Sequence, residues 1–193
     1  MLIPGKSHKP GVCADPLRTP VQERELLRDL ARKAEQALTG VQMASMDELT
    51  LLPNRHGFIA LAKLGLDACE QLARPATLLF FNLDDFKRIN YLFGRTEGDN
   101  ALKTFADVLR IGFRENDVIG RLEGATFVAL LTGSGAVDIT AIKARLEEML
   151  DERNATAHRG YDIRFSIGQI EHDPTAHGTF EELLGEAQRV MNR

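Results

Sequence analysis

The residues best suited to bind a ligand are Arg114 and Asp117, which form an Arg-x-x-Asp motif. The fork of an arginine pairs with phosphate oxygens and with the Hoogsteen edge of guanine, and its plane stacks on bases. An aspartate accepts hydrogen bonds from the N–H groups of a purine. The motif alone is common by chance, so the chemistry of its residues does not by itself name a ligand. Two structural roles stay open, because Asp117 can organise a turn and Arg114 can complement the C-terminus of a helix.

Other patterns that carry chemistry are absent from the sequence. There is no GxxxxGK[ST] phosphate loop, and the segment 133–135 is interpreted as a flexible turn. Cys13 and Cys69 form neither a CxxC pair nor a Cys/His cluster, which favours a reducing compartment. No Ser/His/Asp arrangement is evident, and no histidine shows metal-ligand spacing. The histidines, expected in loops or at the surface, are His8, His56, His158, His172 and His177.

The composition is that of an ordinary globular chain. The 193 residues are 44% hydrophobic and 27% charged, enough for one domain with a sizeable core and a short extension. A net charge of −4 without a Lys/Arg block argues against nucleic-acid binding. No apolar run approaches the roughly 20 residues of a membrane span, and no secretory signal is visible. We therefore expect a cytoplasmic chain with no membrane span and no nucleic-acid partner.

The chain divides into three segments. Residues 1–20 are rich in proline, which predicts a disordered lead. In residues 21–46, apolar residues recur at alternating spacings of three and four, which is a heptad pattern. We interpret this segment as a signalling or coiled-coil helix that would pair two copies of the chain. The alternative is a single amphipathic helix packed on the domain, which is expected over residues 47–193.

Residues 47–193 are predicted to alternate between helices and strands. The expected order is helix, strand, two helices, two strands joined by a turn at 123–125, helix, strand and helix. The expected bounds are 54–72, 77–83, 85–93, 98–113, 118–122, 126–131, 137–150, 163–170 and 180–191. The continuous apolar run 77–83 predicts a central buried strand. The order predicts an α+β fold of the ferredoxin type.

Five motifs between residues 47 and 193 occur in an order that matches a known family. They are Asp47-x-Leu49-Thr50-x-Leu52-Pro53-Asn54-Arg55, Leu83-Asp84-x-Phe86-Lys87-x-Ile89-Asn90, Gly98-Asp99, Arg121-Leu122-Glu123-Gly124-Ala125-Thr126-Phe127 and Ser166-Ile167-Gly168. Each motif is weak alone, but together they resemble the GGDEF family of diguanylate cyclase domains. The resemblance implies a nucleotide-cyclase-like palm, in which helices flank a central antiparallel sheet and a helical stalk precedes it.

The resemblance also implies an active site, and this sequence departs from it. The family makes cyclic di-GMP from two GTP molecules with a divalent metal held by two carboxylates, and the matching positions here are Asn82 and Ala125. An amide oxygen is a neutral ligand, and a methyl group cannot coordinate Mg²⁺. Glu123 replaces a glycine that lets the backbone approach the nucleotide, and Thr126 replaces a glutamate. We therefore expect a degenerate site with no catalytic residues, no metal ligands and no cofactor, apart from Mg²⁺ alongside any residual GTP.

Three residues match family positions that contact GTP. The resemblance assigns a phosphate to Lys87 and the guanine edge to Asn90 and Asp99. The alternative interpretation gives two of them local roles. Asn90 would cap the short helix, and Asp99 would be the N-cap of the next helix.

The Arg-x-x-Asp motif matches the family's inhibitory site, which binds the product cyclic di-GMP. In the family, an arginine from the following helix completes that site. Counting without gaps from Phe127 places Arg145 at this position. The resemblance thus implies a cyclic di-GMP site formed by Arg114, Asp117 and Arg145.

Four functions follow from these residues. The leading hypothesis is a catalytically inactive receptor of cyclic di-GMP. The second is a dimerisation or adaptor module without nucleotide. The third is a residual diguanylate cyclase that uses Asn82 and Glu123, with Glu123 expected on the same strand face as Ala125. The fourth is a GTP-binding regulator of an adjoining sensor or phosphodiesterase domain.

Overall fold

The computed structural model describes residues 44–133, 137–173 and 179–191, together with positions 25, 28, 29 and 31–33. The lead predicted over 1–20 lies outside the described residues, as does most of the helix predicted over 21–46. The described positions between 25 and 33 are helical. The chain separates into two units, Met1–Gln42 and Met43–Arg193.

The second unit contains the predicted succession of helices and strands. Its helices are α1 (Arg55–Gln71), α2 (Phe86–Phe93), α3 (Arg95–Gly112), α4 (Ile139–Ala157) and α5 (Phe180–Met191). Its strands are β1 (Ala76–Leu83), β2 (Val118–Glu123), β3 (Thr126–Thr132) and β4 (Phe165–Glu171). The largest difference from expectation is α4, which was predicted to end at 150. Its last two turns are mostly polar and carry no apolar period, so the sequence pattern did not reveal them.

The four strands form one antiparallel sheet in the order β2-β3-β1-β4. This is the order of a ferredoxin-like fold, and the α+β prediction is confirmed. Strand β1 pairs with β3 on one side and with β4 on the other, so it is a central strand as predicted. All but one of its residues are buried, which explains its continuous apolar run.

Helices cover both faces of the sheet. Alternate β1 residues point to opposite faces: Phe81 joins a core with α3 and α4, and Phe80 joins a core with α1 and α5. Complete burial of one such side chain stabilises the fold by roughly 1.5–3 kcal/mol. These two cores fix the ends of β1, α2 and α3, where the candidate site residues lie. No helix of the described residues is long and apolar enough to cross a membrane.

Candidate functional site

A row of polar residues crosses all four strands where β1 ends. Asn82 pairs with Thr126 of β3 and with Ser166 of β4, and Thr126 pairs with Glu123 of β2. Directly paired residues of antiparallel strands share one face of a sheet. The structure therefore brings three of the altered family positions, Asn82, Glu123 and Thr126, together on one face. Asn82 and Glu123 are exposed there.

The turn beside this row has two residues, Gly124 and Ala125, and not the three that the sequence predicted. Gly124 adopts φ 50°, the left-handed region that glycine enters without strain. The carbonyl of Ala125 accepts a hydrogen bond of 3.1 Å from the N–H of Leu83, which ties the turn to the end of β1. The prediction that Glu123 and Ala125 share a strand face was wrong, because Glu123 ends β2 and Ala125 lies in the turn.

The donors on this row do not fit the metal that the family implies. On the row, Asn82 offers an amide and Glu123 the single carboxylate, and Ala125 in the adjacent turn offers only a methyl group. Mg²⁺ prefers charged oxygen ligands in octahedral geometry. The carboxylate of Asp84, two residues after Asn82, accepts a hydrogen bond of 2.7 Å from the hydroxyl of Ser166. In the described part of the chain, no group of three or more His, Cys, Asp or Glu side chains could hold a metal.

Asn90 lies on α2 and Asp99 on α3, the two helices that join at Gly94. The Oδ1 atom of Asn90 is buried and has no hydrogen-bond partner. It lies so close to Gly98 that a Cβ on that glycine would be 1.8 Å away. Asp99, the next residue, is half-buried. Lys87 is exposed and lies three residues before Asn90, on the same side of α2.

The capping roles proposed for these two residues were wrong. Gly94 is the N-cap of α3, and Asp99 lies inside the helix. Gly94 is also the C-cap of α2, and its N–H donates to the backbone carbonyl of Asn90 at 3.1 Å, not to the side chain. Leaving a buried polar atom unpaired costs about 1–3 kcal/mol. The packing of Asn90 Oδ1 against Gly98 gives this atom no protein hydrogen-bond donor.

Arg114 and Asp117 form a tight turn between α3 and β2. The N–H of Asp117 donates to the carbonyl of Arg114 at 3.0 Å, and the N–H of Arg114 donates to Oδ2 of Asp117 at 3.0 Å. Asp117 therefore organises the turn, which is one of the two structural roles that the sequence left open. This role occupies one of its carboxylate oxygens. The Arg114 residue is exposed.

Arg145 reaches the same turn from α4. Its Nη2 atom donates to the carbonyl of Gly112, the last residue of α3 and the second before Arg114. The role of complementing this helix C-terminus, which was predicted for Arg114, is therefore filled by Arg145. Its bond satisfies a backbone carbonyl, and its positive charge complements the helix dipole. A guanidinium has five N–H donors, so this bond leaves most of the fork for a ligand. The structure brings Arg114, Asp117 and Arg145 together at the C-terminus of α3.

An ion pair that the sequence analysis did not identify supports the hairpin beside the polar row. Arg121 Nη1 lies 3.0 Å from both carboxylate oxygens of Asp47, and its Nε and Nη2 donate to the carbonyl of Gly124 at 3.0 and 2.7 Å. Burial raises the pKa of Asp47, but hydrogen bonds from Thr50 and Arg121 outweigh this and hold the pKa below its ordinary value. Both residues stand in quoted motifs, but no sequence spacing links them.

A family comparison agrees with this fold. The sequence profile described as "Diguanylate cyclase, GGDEF domain" matches residues 44–193. The chain therefore belongs to the GGDEF family, whose members signal through cyclic di-GMP, and the resemblance found in the sequence is confirmed.

Two curated proteins illustrate the kinds of relatives. The chain is 31% identical over 126 residues to the probable diguanylate cyclase DgcC of Escherichia coli (strain K12), covering 65% of this chain and 34% of that protein. It is 32% identical over 152 residues to the cyclic di-GMP phosphodiesterase NbdA of Pseudomonas aeruginosa, covering 79% of this chain and 19% of that protein. The chain thus spans only a minor part of either relative.

Solved structures share the fold. The coiled coil and GGDEF domain of DgcB from Caulobacter crescentus, in complex with c-di-GMP, superposes with a TM-score of 0.73 at 20% identity, covering 88% of this chain and 90% of that chain. The GGDEF domain of PA1120 from Pseudomonas aeruginosa superposes with a TM-score of 0.58 at 27% identity, covering 67% and 76%. The predicted GGDEF palm is confirmed.

Proposed function

We propose that this GGDEF domain is a receptor for cyclic di-GMP. The meeting of Arg114, Asp117 and Arg145 at the end of α3 is the observation that carries the proposal. The two guanidinium groups would pair with the phosphates and guanine edges of the ligand. The second carboxylate oxygen of Asp117 would accept from a guanine N–H. The DgcB structure of the same fold is a complex with this ligand, which supports the choice.

The proposed receptor does not make cyclic di-GMP. The chemistry of the polar row supports this, because Asn82 and Ala125 replace both carboxylates that the family uses to hold its metal. Glu123 adds a negative charge on the exposed face where a triphosphate would lie. The reaction also needs a metal to activate the attacking hydroxyl, and this donor set does not supply its site.

A second ligand, GTP, is favoured by the unpaired amide oxygen of Asn90. Asn90 and Asp99 would hydrogen-bond the guanine edge, and Lys87 would contact a phosphate. Bound in this way, GTP would be a regulator and not a substrate. A role of this kind suits a domain joined to a sensor or phosphodiesterase domain. The relative NbdA, of which this chain matches 19%, is a phosphodiesterase.

The oligomeric state and the cellular location are proposed from the sequence alone. We propose a homodimer formed through residues 21–46 and a cytoplasmic location. A dimer would place two Arg-x-x-Asp sites in one particle. Ligand binding at the end of α3 would then change how the GGDEF domains of the two subunits pack. A partner protein would recognise this change.

Calorimetric titration of the chain with cyclic di-GMP tests the receptor. We expect micromolar or tighter binding in the wild type and at least tenfold weaker binding in Arg114→Ala, as for loss of a charge-assisted hydrogen bond of about 1.5–3 kcal/mol. Arg189→Ala is the matched control, because Arg189 is an exposed arginine that bonds only within α5 in the described structure. Equal affinities of wild type and Arg114→Ala would refute the assignment.

The same titration separates the competing functions. No heat with either nucleotide, combined with concentration-dependent association of the chain, would indicate the adaptor module instead. Incubation with GTP and Mg²⁺ or Mn²⁺ at high protein concentration tests the residual cyclase. We expect no product, and any steady formation of cyclic di-GMP would overturn the proposed inactivity.

A further inference from the structure

The last turn of α3 packs against α4 at Gly112. Gly112 is buried, and the Leu146 residue opposite it is completely buried. A Cβ at Gly112 would lie 2.5 Å from Cδ2 of Leu146, well inside van der Waals contact. A glycine is therefore what allows Leu146 to pack at this depth.

This close approach bears directly on Arg145, because Arg145 is the residue next to Leu146. A shift of α4 that moved Leu146 away from Gly112 would therefore also move the Arg145 backbone away from the end of α3. From its position in the structure, the Arg145 guanidinium reaches the carbonyl of Gly112. Gly112 thus does two things: it leaves space for Leu146, and it supplies the acceptor that holds Arg145.

We infer that Gly112 is a positioning residue that holds Arg145 ready at the Arg-x-x-Asp site. The inference rests on the proposed function, since it assigns a cause to the geometry of that site. An arginine side chain has several rotatable bonds, and ordering it opposes ligand binding. Because Arg145 is already held over the end of α3, its side chain loses less conformational entropy when the anionic ligand binds.

The Gly112→Ala variant tests this inference through ligand affinity. The added methyl group would push Leu146 and Arg145 away from α3, and we expect roughly tenfold weaker cyclic di-GMP binding, the size of one lost charge-assisted hydrogen bond. Gly185→Ala is the control, because a Cβ there meets nothing within 4 Å. The double variant Gly112→Ala/Leu146→Val removes the clashing atom, and we expect it to recover most of the affinity. A merely structural defect would also be relieved by this second substitution, so the coupling to Arg145 is what distinguishes the two explanations.

A measurement without ligand keeps this inference distinct from the proposed function. In the wild type, Arg145→Ala should lower Tm because it removes the bond to Gly112. In the Gly112→Ala background the bond is already disturbed, so the same change should lower Tm by less than half as much. If the wild type binds no cyclic di-GMP but this coupling is found, the receptor proposal fails and the placement of Arg145 by Gly112 stands. Additive Tm changes, or wild-type affinity in Gly112→Ala, would overturn the inference.

Discussion

Arg121 Nη1 lies 3.0 Å from both carboxylate oxygens of Asp47, and this ion pair joins positions that are 74 residues apart in the chain. The side chains are 14% and 21% exposed, so water screens the pair less than an ion pair at the surface. Arg121 also holds the carbonyl of Gly124. The start of the domain is therefore connected through two side chains to the turn beside the polar row.

Removing the carboxylate of Asp47 should destabilise the domain. Asp47→Asn removes the charge of the pair. It also replaces one of the two carboxylate oxygens that accept hydrogen bonds from Thr50 and Arg121 with an NH₂ group, which cannot accept. Together these losses should cost about 1–3 kcal/mol in the free energy of unfolding. Urea unfolding at neutral pH measures this difference. Asp107→Asn is the control, since the exposed Asp107–Arg110 pair should contribute about 0–1 kcal/mol. Equal losses in the two variants would show that the Asp47–Arg121 pair stabilises the domain no more than an exposed ion pair does.

The contribution of Asp47 should also depend on pH. Its pKa is lower in the folded chain than in the unfolded chain, despite the opposing effect of burial. The stabilisation is therefore fully present above the unfolded pKa of about 3.9 and is lost as the pH falls through the folded value. Unfolding measured between pH 7 and pH 3 should show the wild type losing its advantage over Asp47→Asn below about pH 4. A constant difference down to pH 3 would contradict the lowered pKa.

The two roles given to Asp117 can be separated by two substitutions. In Asp117→Asn, an amide oxygen can still accept from the N–H of Arg114, so the turn and Tm should be kept. Cyclic di-GMP binding should weaken roughly tenfold, because a neutral acceptor replaces the carboxylate that faces the ligand. Asp117→Ala should lose both Tm and affinity. Calorimetry and thermal unfolding check both results. Full affinity in Asp117→Asn would show that Asp117 organises the turn and does not contact the ligand.

The sequence predicted the elements better than the contacts. The β1 run and the helix at 180–191 carry strong apolar patterns, and the structure matches both. In α1, by contrast, not every leucine is part of the core: Leu61 and Leu64 are 45% and 67% exposed. The buried line there is Phe58, Ala62 and Leu66, four residues apart, and composition alone does not distinguish the two sides of an apolar helix.

Within the sites, the sequence identified residues but not their partners. The resemblance located Arg145 by counting, whereas its bond to Gly112 depends on how α4 packs on α3. The ion pair of Asp47 and Arg121 also comes from tertiary packing, and no local pattern encodes a contact across so many residues. The two-residue turn after Glu123 was missed because its bulged register depends on the pairing of β2 with β3.

The unpaired amide oxygen of Asn90 leads to a prediction about GTP. Asn90→Ala removes a buried polar atom without a partner, so the free energy of unfolding should change by less than about 1 kcal/mol or increase. The thermal shift that GTP gives the wild type should disappear in this variant, and EDTA should not alter the wild-type shift. Asn100→Ala, at an exposed position of α3, is the control. A GTP shift that survives in Asn90→Ala would assign the nucleotide to another part of the chain.

Restoring the two missing carboxylates should restore metal binding. At about 4 Å, a unit charge pair is worth about 4 kcal/mol at an effective dielectric constant of 20, and a divalent ion doubles this. Asn82→Asp combined with Ala125→Glu places two charges beside β1 and its turn, so Mn²⁺ affinity measured by electron paramagnetic resonance should rise at least roughly tenfold. The control double variant Asn100→Asp/Ala157→Glu adds the same charge at exposed helical positions. If both double variants bind Mn²⁺ equally, the loss of carboxylates at 82 and 125 is not what distinguishes this site.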